Sequence, residues 1–263
     1  VTDALLRLET LVERLRRECP WDREQTLATL STYLLEETHE VLEAIEREDA
    51  AGLRSELGDL LFQIFLLSRL ASEQGWFSLE QVAAGIESKM IERHPHVFGD
   101  EKAEDASAVR ASWEKRKRDA GEKRADPLDG IPPTLPSLAV ALRMSERAAE
   151  LGFDWERTSD LLAKVEEEIG EARRAQSGGD RAATEEELGD LLFALANWAR
   201  RSSLDPERAL RLANRKFRRR FKAVADRAAR DGRDVGACSA AELDRYWNAV
   251  KEEEKNVAGS SGD

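Results

Sequence analysis

The heptapeptide Glu-Leu-Gly-Asp-Leu-Leu-Phe occurs twice, at residues 56–62 and 187–193, and each copy follows a Glu-Glu-x-x-Glu cluster. The clusters are Glu36/Glu37/Glu40 and Glu167/Glu168/Glu171. Both features recur at one offset, 187 − 56 = 131 and 167 − 36 = 131. A chain of 263 residues has room for two ordinary domains, and an in-register repeat divides it into two copies of one module. The expected organisation is an N-terminal module over residues 1–125, a Pro-rich linker over 126–136 and a C-terminal module over 137–263.

Hydrophobic periodicity makes both modules helical. Apolar residues three and four apart predict helices over residues 5–17, 25–47, 51–73, 78–93, 137–151, 160–176, 185–202, 205–230 and 240–255, with a short one over 108–119. Cys19-Pro20-Trp21-Asp22, His94-Pro95, Gly152-Phe153-Asp154-Trp155 and Gly178-Gly179 interrupt the pattern, and Pro127, Pro132, Pro133 and Pro136 mark the junction. No segment alternates as a strand would, so the fold class is all-α, a tandem of two helical bundles. The expected inward stripes are Leu27, Leu30, Leu34, Val41 and Ile45 in the first half, followed by Leu53, Leu57, Leu60, Ile64 and Leu67.

A net charge of −12 argues against nucleic acid as a partner. Cys19 and Cys238 are far apart and outside any CxxC pattern, which fits a reducing, cytoplasmic setting. The most apolar run, residues 60–67, is short and contains Gln63, so no membrane span is expected.

The carboxylates carry the chemistry. Residues three or four apart share a helix face, so Glu37 and Glu40 are neighbours, as are Glu56 and Asp59. An antiparallel hairpin brings the four together. Glu37 interrupts the stripe of Leu30, Leu34 and Val41, and Glu168 interrupts Leu161, Val165 and Ala172. Carboxylates turned inward repel one another and lose hydration, and protonation or a cation must resolve that conflict. An all-oxygen set suits Mg²⁺, or Mn²⁺, better than Zn²⁺. Glu36-x-x-His39 also fits a ferritin-like element, but Gly170 stands in the histidine's place in the second half.

Basic and aromatic pairs repeat as well. Lys89/Arg93 and Lys216/Arg220 share one offset (216 − 89 = 127, 220 − 93 = 127), and Trp113/Lys117 and Trp247/Lys251 share another (247 − 113 = 134, 251 − 117 = 134). Lysine and arginine suit a polyphosphate, and tryptophan can stack on a base. No Gly-rich phosphate loop is present.

Together with His94-Pro95-His96-Val97-Phe98, Asp129-Gly130-Ile131-Pro132 and Asn214-Arg215-Lys216-Phe217, these motifs resemble the MazG family of nucleoside triphosphate pyrophosphohydrolases over nearly the whole chain. The resemblance implies an Mg²⁺-dependent hydrolase that converts ribo- and deoxyribonucleoside triphosphates to monophosphates and pyrophosphate. It further implies a house-cleaning role in the nucleotide pool and a homodimer. It puts metal ligands on Glu168, Glu171, Glu187 and Asp190, and nucleotide contacts on Lys164, Lys216, Arg220, Trp247 and Lys251. Glu167 is a candidate to orient or deprotonate the attacking water. The first half keeps Glu37, Glu40, Glu56, Asp59, Lys89, Arg93, Trp113 and Lys117, but carries Tyr33 where the second has Lys164 (164 − 131 = 33). The resemblance implies that the C-terminal module is the main catalytic one, and this difference supports it. A helical scaffold that binds without chemistry and a di-iron carboxylate oxidase are the alternatives.

Overall fold

Side-chain caps set the helix starts. Thr26 and Ser78 each form a reciprocal capping box, with Thr29 and Gln81, while Asp49, Asp180 and Asp205 accept backbone N–H groups of the turns they open. A computed structural model of the chain describes residues 2–102, positions 105, 108, 109, 112, 113 and 116, and residues 126–260, with side chains through 256. It divides into two units, Val1–Glu122 and Lys123–Asp263.

The first unit contains α1 (Thr2–Glu18), α2 (Pro20–Glu24), α3 (Leu27–Glu46), α4 (Ala50–Glu73), α5 (Leu79–Arg93) and α6 (Pro95–Phe98). Helices α3 and α4 pair as a hairpin, with α1 and α5 packed on α4. Val12, Leu30, Phe65, Leu66 and Leu70 form its buried core. The second unit contains α7 (Ser137–Glu150), α8 (Thr158–Gly178), α9 (Arg181–Arg201), α10 (Pro206–Arg230), a 3₁₀ turn at Val235–Ala237, and α11 (Ala240–Ser260). Helices α8 and α9 repeat the hairpin, α7 packs on α9, and α10 packs on α7 and α11. Its buried positions are smaller residues such as Val165, Ala194, Ala196, Val224 and Ala228, with Leu161 the largest. No strand occurs among the described residues.

The two hairpin turns are built alike. Each needs one residue in the left-handed region, Glu48 (φ 56°) in the first and Gly179 (φ 71°) in the second, at the repeat offset 179 − 48 = 131. An aspartate caps the following helix in both, Asp49 and Asp180. Further on, α9 is shorter than α4, 21 residues against 24, which accounts for most of the drop in offset from 131 to 127.

Several expectations need correcting. The Cys-Pro-Trp-Asp break holds the short helix α2, because Pro20 sits at its first turn, where a missing N–H costs nothing. The break after His94 likewise contains α6. Helix α9 begins at Arg181 rather than 185, since Asp180 supplies the cap. The inward stripe of α4 is also different. Leu57 (48% exposed) and Ile64 (40%) lie outward, whereas Phe65, Leu66 and Leu70 are buried. Helix α4 is apolar around most of its circumference, so periodicity alone does not select the face. Ile45 of α3 is exposed as well. The helix expected over 108–119 falls mostly outside the described residues, as does Lys117.

Candidate active site

The hairpins bring the repeated carboxylates together. In the first unit, oxygens of Glu37 on α3 and of Glu56 and Asp59 on α4 lie within 4.8 Å of one another. In the second, the same spacing holds for Glu168 and Glu171 on α8 and Glu187 on α9. The two triplets are not the same selection. Glu40 stands outside the first triplet and Asp190 outside the second, although their register partners Glu171 and Asp59 belong. Both stay in electrostatic reach: Glu40 shares a hydrogen bond with Glu56, and the Asp190 charge acts on Glu187.

Crowding shows in the acidities. Burial first, then the charges of Asp59, Glu40, Glu56 and Glu36, push the Glu37 carboxyl above its usual range. Glu56 is raised by burial and by its hydrogen bond with Glu40. Burial, followed by Glu171, Glu168 and Asp190, raises Glu187. Such groups hold protons against neighbouring negative charge, and a divalent cation would relieve the same repulsion. Oxygen-only donors in both triplets fit Mg²⁺ or Mn²⁺.

Glu168 is the most buried of these carboxylates, with its residue 5% exposed. Its charge is met by Lys164, whose Nζ lies 2.8 Å from Glu168 Oε1 and 2.9 Å from Glu167 Oε1. Those contacts raise the lysine's own pKa, the Glu168 bond foremost. Tyr33, at the equivalent place in the first unit, packs edge-on against Trp21 with ring centroids 5.7 Å apart.

The basic and aromatic residues form separate groups. The Arg220 guanidinium lies 5.9 Å from the Trp247 ring and is held 2.7 Å from Glu254, and Phe217 stands 5.4 Å from the same ring. In the first unit Arg93 lies 5.2 Å from the ring of Trp113, beside His94 at 4.9 Å. The arginine–tryptophan pairing is thus present in both units. Lys89 and Lys216 are exposed on α5 and α10, and Lys251 is half-buried on α11. Among the described residues no hydrogen bond or ion pair joins Lys216, Arg220, Trp247 or Lys251 to the carboxylates of α8 and α9, although α10 packs on α9 as well as on α7 and α11.

The MazG nucleotide pyrophosphohydrolase domain matches the chain twice, at residues 25–98 and 156–225, each match enclosing one carboxylate hairpin. A nucleoside triphosphate pyrophosphohydrolase of Escherichia coli (strain K12) is 44% identical over 255 residues, covering 94% of this chain and 97% of that protein. The chain belongs to the MazG family. A Thermotoga maritima nucleoside triphosphate pyrophosphohydrolase/pyrophosphatase MazG is 38% identical over 247 residues, 93% of this chain and 94% of the relative. A crystal structure of a mazG-related protein from Thermotoga maritima is similar at 32% identity over 43% of this chain and 97% of its own, with a TM-score of 0.39. This MazG chain is accordingly a nucleotide pyrophosphohydrolase, an all-α hydrolase with its family domain present twice.

Two contributors to this region escaped the sequence reading. Glu254 anchors Arg219 and Arg220 from α11, at 2.9 and 2.7 Å. The run Glu252-Glu253-Glu254, placed after Lys251, was its only signal. Asp154, in the Gly-Phe-Asp-Trp break, bonds Arg200 and Arg201 at the end of α9. In the first unit Arg16 plays the complementary part, donating to the carbonyls of Asp22 and Gln25 and pairing with Glu73 at 2.8 Å. These breaks therefore tie the hairpins in place.

Proposed function

We propose that this MazG protein hydrolyses ribo- and deoxyribonucleoside triphosphates to monophosphate and pyrophosphate with Mg²⁺, clearing unwanted nucleotides from the cytoplasmic pool. The observation that supports the reading is that each hairpin brings three carboxylates together, two of them, Glu37/Glu168 and Glu56/Glu187, at one sequence register. Glu168, Glu171 and Glu187, with Asp190 nearby, would hold the metal in the second module. Glu37, Glu40, Glu56 and Asp59 offer the equivalent set in the first. Mg²⁺ bound there supplies Lewis-acid polarisation of phosphorus and lowers the pKa of water.

The chain's own residues do the rest. Glu167, exposed midway along α8, takes the proton of the attacking water. As the water oxygen bonds to phosphorus, the bridging P–O bond breaks and its electron pair leaves with pyrophosphate for attack at the α position, or with the monophosphate for attack at the β. Lys164, Lys216, Arg220 and Lys251 neutralise phosphate charge, and Trp247 stacks on the base. Lys89, Arg93, Trp113 and Lys117 are the first-module candidates for the same contacts. We assign the main activity to the C-terminal module (137–263), beyond the linker 126–136, because Lys164 has no counterpart in residues 1–125. In support, that module alone joins a lysine to its carboxylates among the described residues.

A second copy of the chain is the proposed partner. Leu57 and Ile64 on α4 and Ile86 (50% exposed) on α5 present apolar surface, which a homodimer would cover. No described helix is long and apolar enough to cross a membrane.

Anion-exchange analysis of ATP incubated with the protein and Mg²⁺ tests the reaction. AMP with pyrophosphate is expected. ADP with phosphate, or unchanged ATP, refutes it. Reaction in ¹⁸O-labelled water then locates the attacked phosphorus, since label enters the monophosphate for attack at the α position and pyrophosphate for the β.

A further inference from the structure

The side chain of Glu168 is 6% exposed, and a carboxylate so enclosed needs an opposite charge. Lys164 provides it from one helical turn earlier, its Nζ bridging Glu168 at 2.8 Å and Glu167 at 2.9 Å. This contact is not what an exposed helix face would select. A lysine N-terminal to a glutamate at this spacing is the less favourable order for an ion pair on an isolated helix. Burial of Glu168 holds the pair together.

The first module has no such device. Its register equivalent, Tyr33, is a phenol packed against Trp21 and the core. Among the described residues no ion pair reaches Glu37, Glu56 or Asp59, so that triplet offers its oxygens unopposed.

We propose that Lys164 is a resident counter-ion that makes metal loading of the second module conditional on the triphosphate. The proposal rests on the metal-site reading above and deepens it. A divalent cation entering Glu168, Glu171 and Glu187 meets an ammonium already seated on Glu168, and the two positive charges repel. Without nucleotide, the ammonium must either leave its buried partner for water or share it, and both weaken metal binding. A triphosphate changes the balance, because its anionic oxygens accept the released ammonium. Cation and nucleotide then favour one another, and that coupling is equal in both directions. Release of Lys164 also frees Glu167, the proposed proton acceptor, so the module is armed only when substrate is present. In the first module the cation meets no seated ammonium, and binding needs no nucleotide.

The test uses the full chain with its first triplet neutralised (Glu37→Gln, Glu56→Gln and Asp59→Asn), leaving one class of carboxylate site. Mn²⁺ binding is followed by paramagnetic resonance and calorimetry, alone and with a methylene-bridged, non-hydrolysable triphosphate, corrected for Mn²⁺ held by the free analogue. Adding Lys164→Met should tighten Mn²⁺ binding in the absence of nucleotide by about tenfold and weaken the coupling to the analogue by about the same factor, leaving the attraction between the cation and the analogue's own phosphates. Lys164→Arg keeps the positive charge and should bind Mn²⁺ as weakly as the parent. Lys164→Tyr, the first-module residue, repeats the methionine result should that variant melt early. Mn²⁺ binding that is unchanged or weakened in both the methionine and the tyrosine variants overturns the proposal and makes Lys164 a prop for Glu168. Absence of Mn²⁺ binding in parent and variants, with and without analogue, overturns the metal-site reading itself.

Discussion

Replacing Glu168 by alanine separates the site's chemistry from its architecture. In the metal-free chain the loss is small. The variant removes a buried carboxylate together with the cost of its desolvation, and Lys164, with its side chain 33% exposed, can return to water. The pair is buried at its carboxylate end only, so its loss should fall below about 3–5 kcal/mol, the cost of breaking a fully buried pair, each kcal/mol lowering the melting temperature by about 2–4 °C. Metal changes the comparison. Mg²⁺ at 100 times its dissociation constant stabilises the native form by about 2.7 kcal/mol, so the second module should melt about 5–10 °C higher with Mg²⁺ than with chelator. In Glu168→Ala that increment should vanish. Turnover should fall about a thousandfold, equivalent to about 4 kcal/mol of transition-state stabilisation. Calorimetric melts with and without Mg²⁺, paired with pyrophosphate release from ATP, measure both effects on one preparation. The reasoning fails if Glu168→Ala keeps the full Mg²⁺ increment and full activity, and if activity also survives in the double variant Glu37→Ala/Glu168→Ala, which removes the first module as a source of turnover.

Other consequences can be measured directly. Glu48→Gly should raise the urea midpoint by up to about 1 kcal/mol in stability, because a left-handed non-glycine residue costs about 1–2 kcal/mol and glycine's greater unfolded freedom returns part of it; Gly179→Ala should do the reverse. Arg220→Ala should lower kcat/KM about a hundredfold, equivalent to about 2.7 kcal/mol, with far-ultraviolet dichroism unchanged. Ile64→Asp, on the exposed face of α4, should shift the chain from dimer to monomer in light scattering, and an unaltered mass would refute the homodimer proposal. The raised pKa values of Glu37, Glu56 and Glu187 mean that the native chain binds these protons more tightly than the unfolded one. In chelator these three groups should therefore lose stability as pH rises from the ordinary carboxylate range through their raised values, against the opposite trend of carboxylates held low by ion pairs such as Glu73 and Glu254. The loss is read as the difference between the chain and its Glu37→Gln/Glu56→Gln/Glu187→Gln variant, and a difference independent of pH would refute this.

What the sequence made legible was what is written locally. The longer helices announce themselves by period, and the offset of 131 holds for the carboxylates, for the left-handed residue at each turn and for the capping aspartates. What it hid was direction. Leu57 and Ile64 have the period of core residues, yet the face of α4 that packs on α1 is the one bearing Phe65, Leu66 and Leu70. A helix with two apolar faces has no sequence mark for which one meets its own chain. Glu254 was hidden for a related reason: its partners Arg219 and Arg220 lie 35 and 34 residues away, a distance set by how α10 and α11 pack.

The two modules also show what a repeated ligand set does and does not determine. Identical turns and caps put four carboxylate positions on facing helices in each hairpin, so backbone geometry alone offers the same oxygens twice. Yet the oxygens that converge differ. Among the described residues the first set has no cation beside it, Glu40 raises the Glu56 carboxyl, and Asp59 belongs to the close group. In the second, Lys164 neutralises Glu168, Glu171 joins it, and Asp190 stays outside. The turn before the ligands separates the halves at one register position, a lysine in one and a tyrosine in the other. Charge next to a metal site, rather than the ligands themselves, is therefore the variable by which duplicated modules of this kind can be tuned to different duties.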